Sequence, residues 1–134
     1  MNVLSQAKYT VNDDRSLNLS VAQIRQNALS AGCPEMKLAK FLTLASELGR
    51  NILNYAGNGH LVFKTLETQG KTGLEIAAVD EGPGIKDIPH AMKDNVSTSG
   101  TLGLGLPGAK RLADEFHIES TPGKGTTVQS RVWI

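Results

Sequence analysis

Leu74-Glu75-Ile76-Ala77-Ala78-Val79-Asp80-Glu81-Gly82-Pro83-Gly84-Ile85 joins two signals in one stretch. The apolar run to Val79 predicts a central strand, and the turn Gln69-Gly70-Lys71-Thr72-Gly73 precedes it. The strand ends on an acid, beside a glycine turn. Before it, His60 to Thr68 alternates Leu61, Phe63 and Thr65, so the two runs predict a hairpin. Upstream, Pro34 to Tyr55 places Leu38, Phe41, Leu42, Ala45, Leu48, Gly49, Ile52 and Tyr55 on one helical stripe, which Ala56-Gly57-Asn58-Gly59 stops. A second helix is predicted over about Ser16 to Ala31 from Leu19, Val21, Ile24, Ala28 and Leu29, and a first strand over about 7–12.

Downstream, Asp87 to Met92 reads as a short helix and the rest, up to Thr101, as a mobile loop. Leu106 to Phe116 predicts a helix with Pro107 in its first turn, where the missing N–H costs little. His117 to Thr121 and Thr126 to Trp133 predict two closing strands around Pro122-Gly123-Lys124-Gly125. The order is β-α-α-β-β-loop-α-β-β. Hairpins predominate, which implies an α/β chain of the α+β kind. The expected architecture is a two-layer sandwich, with a mostly antiparallel mixed sheet and helices on one face.

The 134 residues suit one domain over residues 1–134. Lys and Arg are scattered and the net charge is +1, so nothing argues for nucleic acid. The single Cys33 excludes an internal disulfide and fits a reducing compartment. Neither a signal core nor a run of the ~18–20 apolar residues of a membrane span is present, so a soluble, cytoplasmic protein with no membrane partner is expected.

Three groups carry chemistry. Glu47 and Asn51 are one helical turn apart, away from the centre of the apolar stripe. A neutral amide oxygen can take one Mg²⁺ position while phosphates and waters fill the rest, and a carboxylate one turn away can orient or deprotonate a hydroxyl. Asp80 at a strand end requires a partner if it is buried and ionised, and adenine's exocyclic amine is a suitable donor. Gly82 and Gly84 let backbone approach the ring. Gly103-Leu104-Gly105-Leu106-Pro107-Gly108 leads directly into a helix, whose free N–H groups favour an anion. It is not a Walker loop, because no Gly-Lys-Ser/Thr follows, nor a dinucleotide fingerprint, because no strand enters it.

Together these residues resemble the superfamily of histidine kinases and Hsp90-type ATPases known as GHKL, with its Bergerat ATP-binding fold. Glu47 and Asn51 match its Glu-x-x-x-Asn pattern, and Asp80, Gly82 and Gly84 its Asp-x-Gly-x-Gly pattern. Gly103 and Gly105 match its second glycine box, and Gly125-Thr126-Thr127 resembles its final Gly-Thr element. The similarity spans about Tyr9 to Ile134. It is nearer to small bacterial serine/threonine kinases of the anti-sigma-factor type, and among these to stressosome switch kinases. Ser46-Glu47-Leu48-Gly49-Arg50-Asn51, Tyr55-Ala56-Gly57 and Ser97-Thr98-Ser99-Gly100 carry that nearer similarity. Many superfamily members have His-Gly where this chain has Tyr55-Ala56-Gly57, and the switch kinases share the latter form.

The resemblance implies a general base at Glu47 and a Mg²⁺ ligand at Asn51. Asp80 would take the adenine amine, Thr126 would assist there, and Ser97 to Gly100 would lie in an ATP lid. The implied nucleotide-binding set is Asn51, Asp80, Gly82, Gly84, Ile85, Ser97, Thr98, Ser99, Gly100, Thr101, Leu102, Gly103, Leu104, Gly105 and Thr126. A histidine kinase needs a phosphoacceptor His on a helical element. His60, His90 and His117 stand at strand starts or in the loop region, and nothing before Tyr9 supplies such an element. The expected activity is an ATP- and Mg²⁺-dependent serine/threonine protein kinase. Its implied partners are STAS-domain antagonist and scaffold proteins of a stressosome, and a PP2C-type phosphatase. The alternative is a nucleotide-gated anti-sigma-factor or phosphatase-binding regulatory module, which captures a sigma factor or a phosphatase without phosphoryl transfer.

Overall fold

The computed structural model describes residues 1–92 and 105–134. The strands are β1 (Asn2–Val11), β2 (Gly59–Thr68), β3 (Lys71–Asp80), β4 (Glu115–Thr121) and β5 (Gly125–Trp133). The helices are α1 (Asp14–Ser30), α2 (Glu35–Tyr55), α3 (Ile88–Ala91) and α4 (Gly105–Leu112). The sheet order is β1-β2-β3-β5-β4, and each neighbouring pair is antiparallel. The expectation of helices on one face of an antiparallel sheet holds. The segment expected to form the mobile lid lies outside the described residues.

The two faces of β3 divide the labour. Leu74, Ile76 and Ala78 enter the core with Leu61, Phe63, Val128 and Val132 from neighbouring strands. The helices bury that face, with Phe41 of α2 meeting Phe63 edge-on at a centroid distance of 6.0 Å. Glu75 projects from the other face, yet is buried. Arg131 Nε donates to its Oε1 at 2.8 Å and Gln129 Nε2 donates to the same atom at 3.0 Å, with Lys64 Nζ 3.8 Å from Oε2. This ties β3 to β2 and β5 and offsets the cost of burying the carboxylate.

Several boundaries differ from expectation, each for a long-range reason. β1 starts at Asn2 rather than near residue 7, because its exposed first half pairs with β2 as far as Asn2 opposite Glu67. In α1 the buried residues are Leu17, Ser20, Ile24 and Ala28, while Leu19 and Leu29 are exposed. In α2, Leu44 joins the buried stripe, Leu42 is only half-buried and Tyr55 is exposed. The stripe leans because α4 packs against that flank of α2. α4 ends at Leu112 instead of Phe116, since Asp114 N–H donates to the Arg131 carbonyl at 2.8 Å and the chain joins the sheet.

α1 starts on a reciprocal cap. The Asp13 carboxylate accepts the Ser16 N–H at 2.7 Å, and Ser16 Oγ accepts the Asp13 N–H at 3.1 Å. The Ser16 backbone N–H, then its hydroxyl, holds the Asp13 carboxyl below the usual carboxylate range. A depressed folded-state pKa stabilises above the unfolded pKa, and the contribution disappears as pH falls through the folded value. Asp13→Ala should therefore be less stable than wild type at pH 7. Urea titrations should show that gap closing below about pH 4.

Candidate functional site

α2 serves as a ruler for the site. Glu47 and Asn51 are one turn apart, and the projection puts Asn51 between the buried Leu44 and Glu47, whose side chain meets the start of α4. Glu47 Oε2 accepts the N–H of Gly105, the first residue of α4, at 3.1 Å. The carboxylate thus meets the electropositive end of a helix. Asn51 is buried, and its carboxamide makes no hydrogen bond with another described residue.

Further along α2, Ala56 caps the helix and touches the second half of the site. Asp80 ends β3, and its Oδ1 accepts the Gly82 N–H at 3.0 Å, closing an Asx turn. A Cβ at Gly82 would stand 2.6 Å from the Cβ of Ala56, so only glycine seats this turn on the helix end. Gly84 has φ +78°, and a Cβ there would stand 2.4 Å from the Thr121 carbonyl oxygen. The stretch from Glu47 to Ala56 covers about 14 Å of helix at α-helical rise. An extended nucleoside triphosphate lying along α2 spans such a distance. Its phosphates would face Glu47 and Gly105, and its base would face Asp80.

The last hairpin completes the base end. Thr126 of β5 is paired with Asp80 of β3 and with Ser120 of β4, so the three form one cross-strand row. Thr126 is buried. Gly123 N–H donates to the Pro83 carbonyl at 2.7 Å, and Ile85 N–H donates to Ser120 Oγ at 2.7 Å. A cleft of about 230 Å³ opens here, lined by Asp80, Ser120, Thr126 and Lys124 among others. A larger cavity of about 380 Å³ between β1 and the end of α1 is remote from these residues and has no titratable side chain in its lining. It offers no comparable chemistry.

Of the residues singled out in the sequence, Glu47, Asn51 and Gly105 gather along the C-terminal half of α2, while Asp80 and Gly82 stand by its C-terminal cap, Ala56, with Gly84, Ile85 and Thr126 beside them on the strand-end turn and the last hairpin. Ser97, Thr98, Ser99, Gly100, Thr101, Leu102, Gly103 and Leu104 lie outside the described residues. Arg50, beside Glu47 in sequence, turns instead to Asp14 at 3.5 Å. Sequence reasoning passed over Ser120. Its only signal was its place in the last hairpin, six residues before Thr126.

The donor set also bears on a metal. Among the described residues, no group of three or more His, Cys, Asp and Glu could enclose an ion. A single neutral carboxamide, one turn from the Glu47 carboxylate at the start of α4, fits Mg²⁺ held mainly by phosphates and water. No described helix is long and apolar enough to cross a membrane.

Comparison with known proteins agrees with this geometry. The family model for the histidine kinase-like ATPase domain matches residues 11–132. The serine/threonine-protein kinase RsbT of Bacillus subtilis is 47% identical over 110 residues, covering 82% of this chain and 83% of the relative. An anti-sigma F factor of Thermoanaerobacter is 32% identical, over 73% of this chain and 71% of the relative. Among solved structures, the RsbU and RsbW domains of Rv1364c from Mycobacterium tuberculosis align with a TM-score of 0.65 at 17% identity, covering 95% of this chain and 32% of that one. The SiaB–SiaC complex from Pseudomonas aeruginosa aligns with a TM-score of 0.58 at 12% identity, covering 98% of this chain and 91% of that one. Those two likenesses concern the fold. The family match spans both ends of the α2 ruler and the closing hairpin, and the chain belongs to the histidine kinase-like ATPase domain family.

Proposed function

We propose that this protein is an ATP- and Mg²⁺-dependent serine/threonine protein kinase, carried by one domain over residues 1–134 and acting in the cytoplasm. The observation that carries the reading is the position of Glu47. Its carboxylate lies at the amino end of α4, one turn from Asn51, with the Asp80 turn packed on Ala56, about 14 Å further along the helix, and Thr126 paired with Asp80. Asp80 takes the adenine amine, with Thr126 beside it. The backbone amides at the start of α4 receive phosphate. Asn51 holds Mg²⁺, which supplies charge neutralisation on the phosphate oxygens when bound.

Glu47 orients a partner's Ser or Thr hydroxyl and accepts its proton. The hydroxyl oxygen bonds to the γ-phosphorus, the bond to the β–γ bridging oxygen breaks, and ADP is the leaving group. The partners are STAS-domain antagonist and scaffold proteins of a stressosome, and the released kinase binds a PP2C-type phosphatase. The 47% identity to RsbT supports this choice over other activities of the family. A second reading, a nucleotide-gated regulatory module without transfer, draws on the similarity to an anti-sigma F factor.

The test is transfer from γ-labelled ATP, with Mg²⁺, to purified STAS-domain partners. Label on a partner Ser or Thr is the expected result. ATP-dependent partner capture with no label would leave the binding module instead.

A further inference from the structure

Ser120 sits where three polar groups converge. Its Oγ lies 2.7 Å from the Ile85 nitrogen, 3.1 Å from the Gly125 carbonyl oxygen and 2.8 Å from Thr126 Oγ1. A serine hydroxyl has one proton and two lone pairs. The Ile85 N–H can only donate, and the Gly125 carbonyl can only accept. One proton arrangement makes all three contacts hydrogen bonds. Ser120 donates to Gly125, and Ile85 and Thr126 both donate to Ser120.

That arrangement has a consequence one strand away. The Thr126 proton is committed to Ser120, so Thr126 Oγ1 keeps only lone pairs for a ligand. Its neighbour in the sheet register is Asp80, whose carboxylate oxygens also only accept. The strand-end cleft therefore presents two acceptors side by side. An exocyclic amine with two N–H groups satisfies such a pair. A carbonyl oxygen in the same place meets two acceptors with no proton between them, an unpaired polar contact that a partly dry site penalises.

We infer that Ser120 is a specificity-determining positioning residue, which holds the Thr126 hydroxyl in its accepting orientation and so makes the site prefer adenine over guanine nucleotides. The inference rests on the ATP reading above. Ser120 acts through Thr126 and need not touch the base. Its second tie, to Ile85 N–H, fixes the Asp80–Ile85 turn against the same hairpin.

The experiment measures ADP and GDP affinities by calorimetry for wild type, Ser120→Ala, Thr126→Val and the double variant, with unfolding midpoints recorded for each. Ser120→Ala frees the Thr126 proton to rotate, so the ADP:GDP preference should fall about 10-fold. In the Thr126→Val background the same change should shift that preference less than about twofold, as expected of two residues that act as one unit. A preference unchanged by Ser120→Ala, or an equal fall in both backgrounds, would overturn the inference. Should Ser120→Ala fail to fold, Ser120→Cys carries the test, because a thiol is a weak donor and acceptor; it should give a partial fall, and an unchanged preference again counts against the idea. A wild-type chain that binds neither ADP nor ATP overturns the kinase reading itself. Binding without an effect of Ser120 overturns only this inference.

Discussion

Glu47→Ala should lower phosphoryl transfer to a partner serine or threonine by about 10²–10⁴-fold, the range lost when a positioned general base is removed. Nucleotide binding should remain near the wild-type level. The Glu47 carboxylate accepts the Gly105 N–H at 3.1 Å, at the start of the helix whose amides are proposed to receive phosphate. Removing it frees that amide and removes a negative charge beside the phosphate end. Neither change weakens ATP. The loss should therefore fall on kcat, with KM for ATP little changed. Glu47→Gln separates charge from shape. Its amide oxygen can still accept the Gly105 N–H, so the α2–α4 contact is preserved while the proton acceptor is gone. It should be as inactive as the alanine variant, with a similar unfolding midpoint. Single-turnover transfer to a STAS-domain partner, run beside ADP binding, reads both quantities. Transfer within about tenfold of wild type in Glu47→Gln would mean that another group takes the proton.

The two ends of this site were unequally legible. Glu47 and Asn51 declare themselves through local geometry, since any α-helix puts residues four apart on one face. Asp80 stands out because an apolar strand ends on an acid beside two glycines. The hidden parts depend on register. Ser120 bonds to the Ile85 N–H across 35 residues of sequence, and no periodicity links the two. Glu75 was read as part of an apolar run, yet it faces Arg131 and Gln129 across β3 and β5. The α4 boundary failed similarly. Helical spacing continues through Phe116, but the Asp114 N–H and carboxylate both bond to β5, at Arg131 and Trp133, each at 2.8 Å, and the sheet captures the chain. Leu19 and Leu29 contribute to the helical pattern of α1 because they are apolar, yet both are exposed; its buried residues are Leu17, Ser20, Ile24 and Ala28. Pattern locates an amphipathic helix. The packing partner chooses the face.

Asp80→Asn should lower ATP affinity by about 100-fold, equivalent to about 3 kcal/mol, while leaving the fold intact. The substitution is nearly isosteric. Its amide oxygen can keep the Gly82 N–H bond that Asp80 Oδ1 makes at 3.0 Å, so the turn seated on Ala56 survives. What changes is the other atom of the head group. A carboxylate oxygen that can accept the adenine amine becomes an NH₂ that can only donate, and two donors then face each other. Rotating the amide to restore the acceptor would point its NH₂ at the Gly82 N–H, which exchanges one mismatch for the other. Alanine would delete the contact but also release the turn, confounding affinity with local order. Asparagine isolates the hydrogen-bonding pattern. The measurement is the shift in unfolding midpoint on adding saturating ADP, because a ligand bound only by the folded state stabilises it in proportion to the logarithm of concentration over Kd. Wild type should shift by several degrees. Asp80→Asn should keep the unliganded midpoint and lose most of the shift. An undiminished shift would place the adenine amine on a group other than Asp80. A shift lost in Asp80→Asn but kept in Glu47→Gln would separate the base end of the site from its phosphate end, along the helix that carries both.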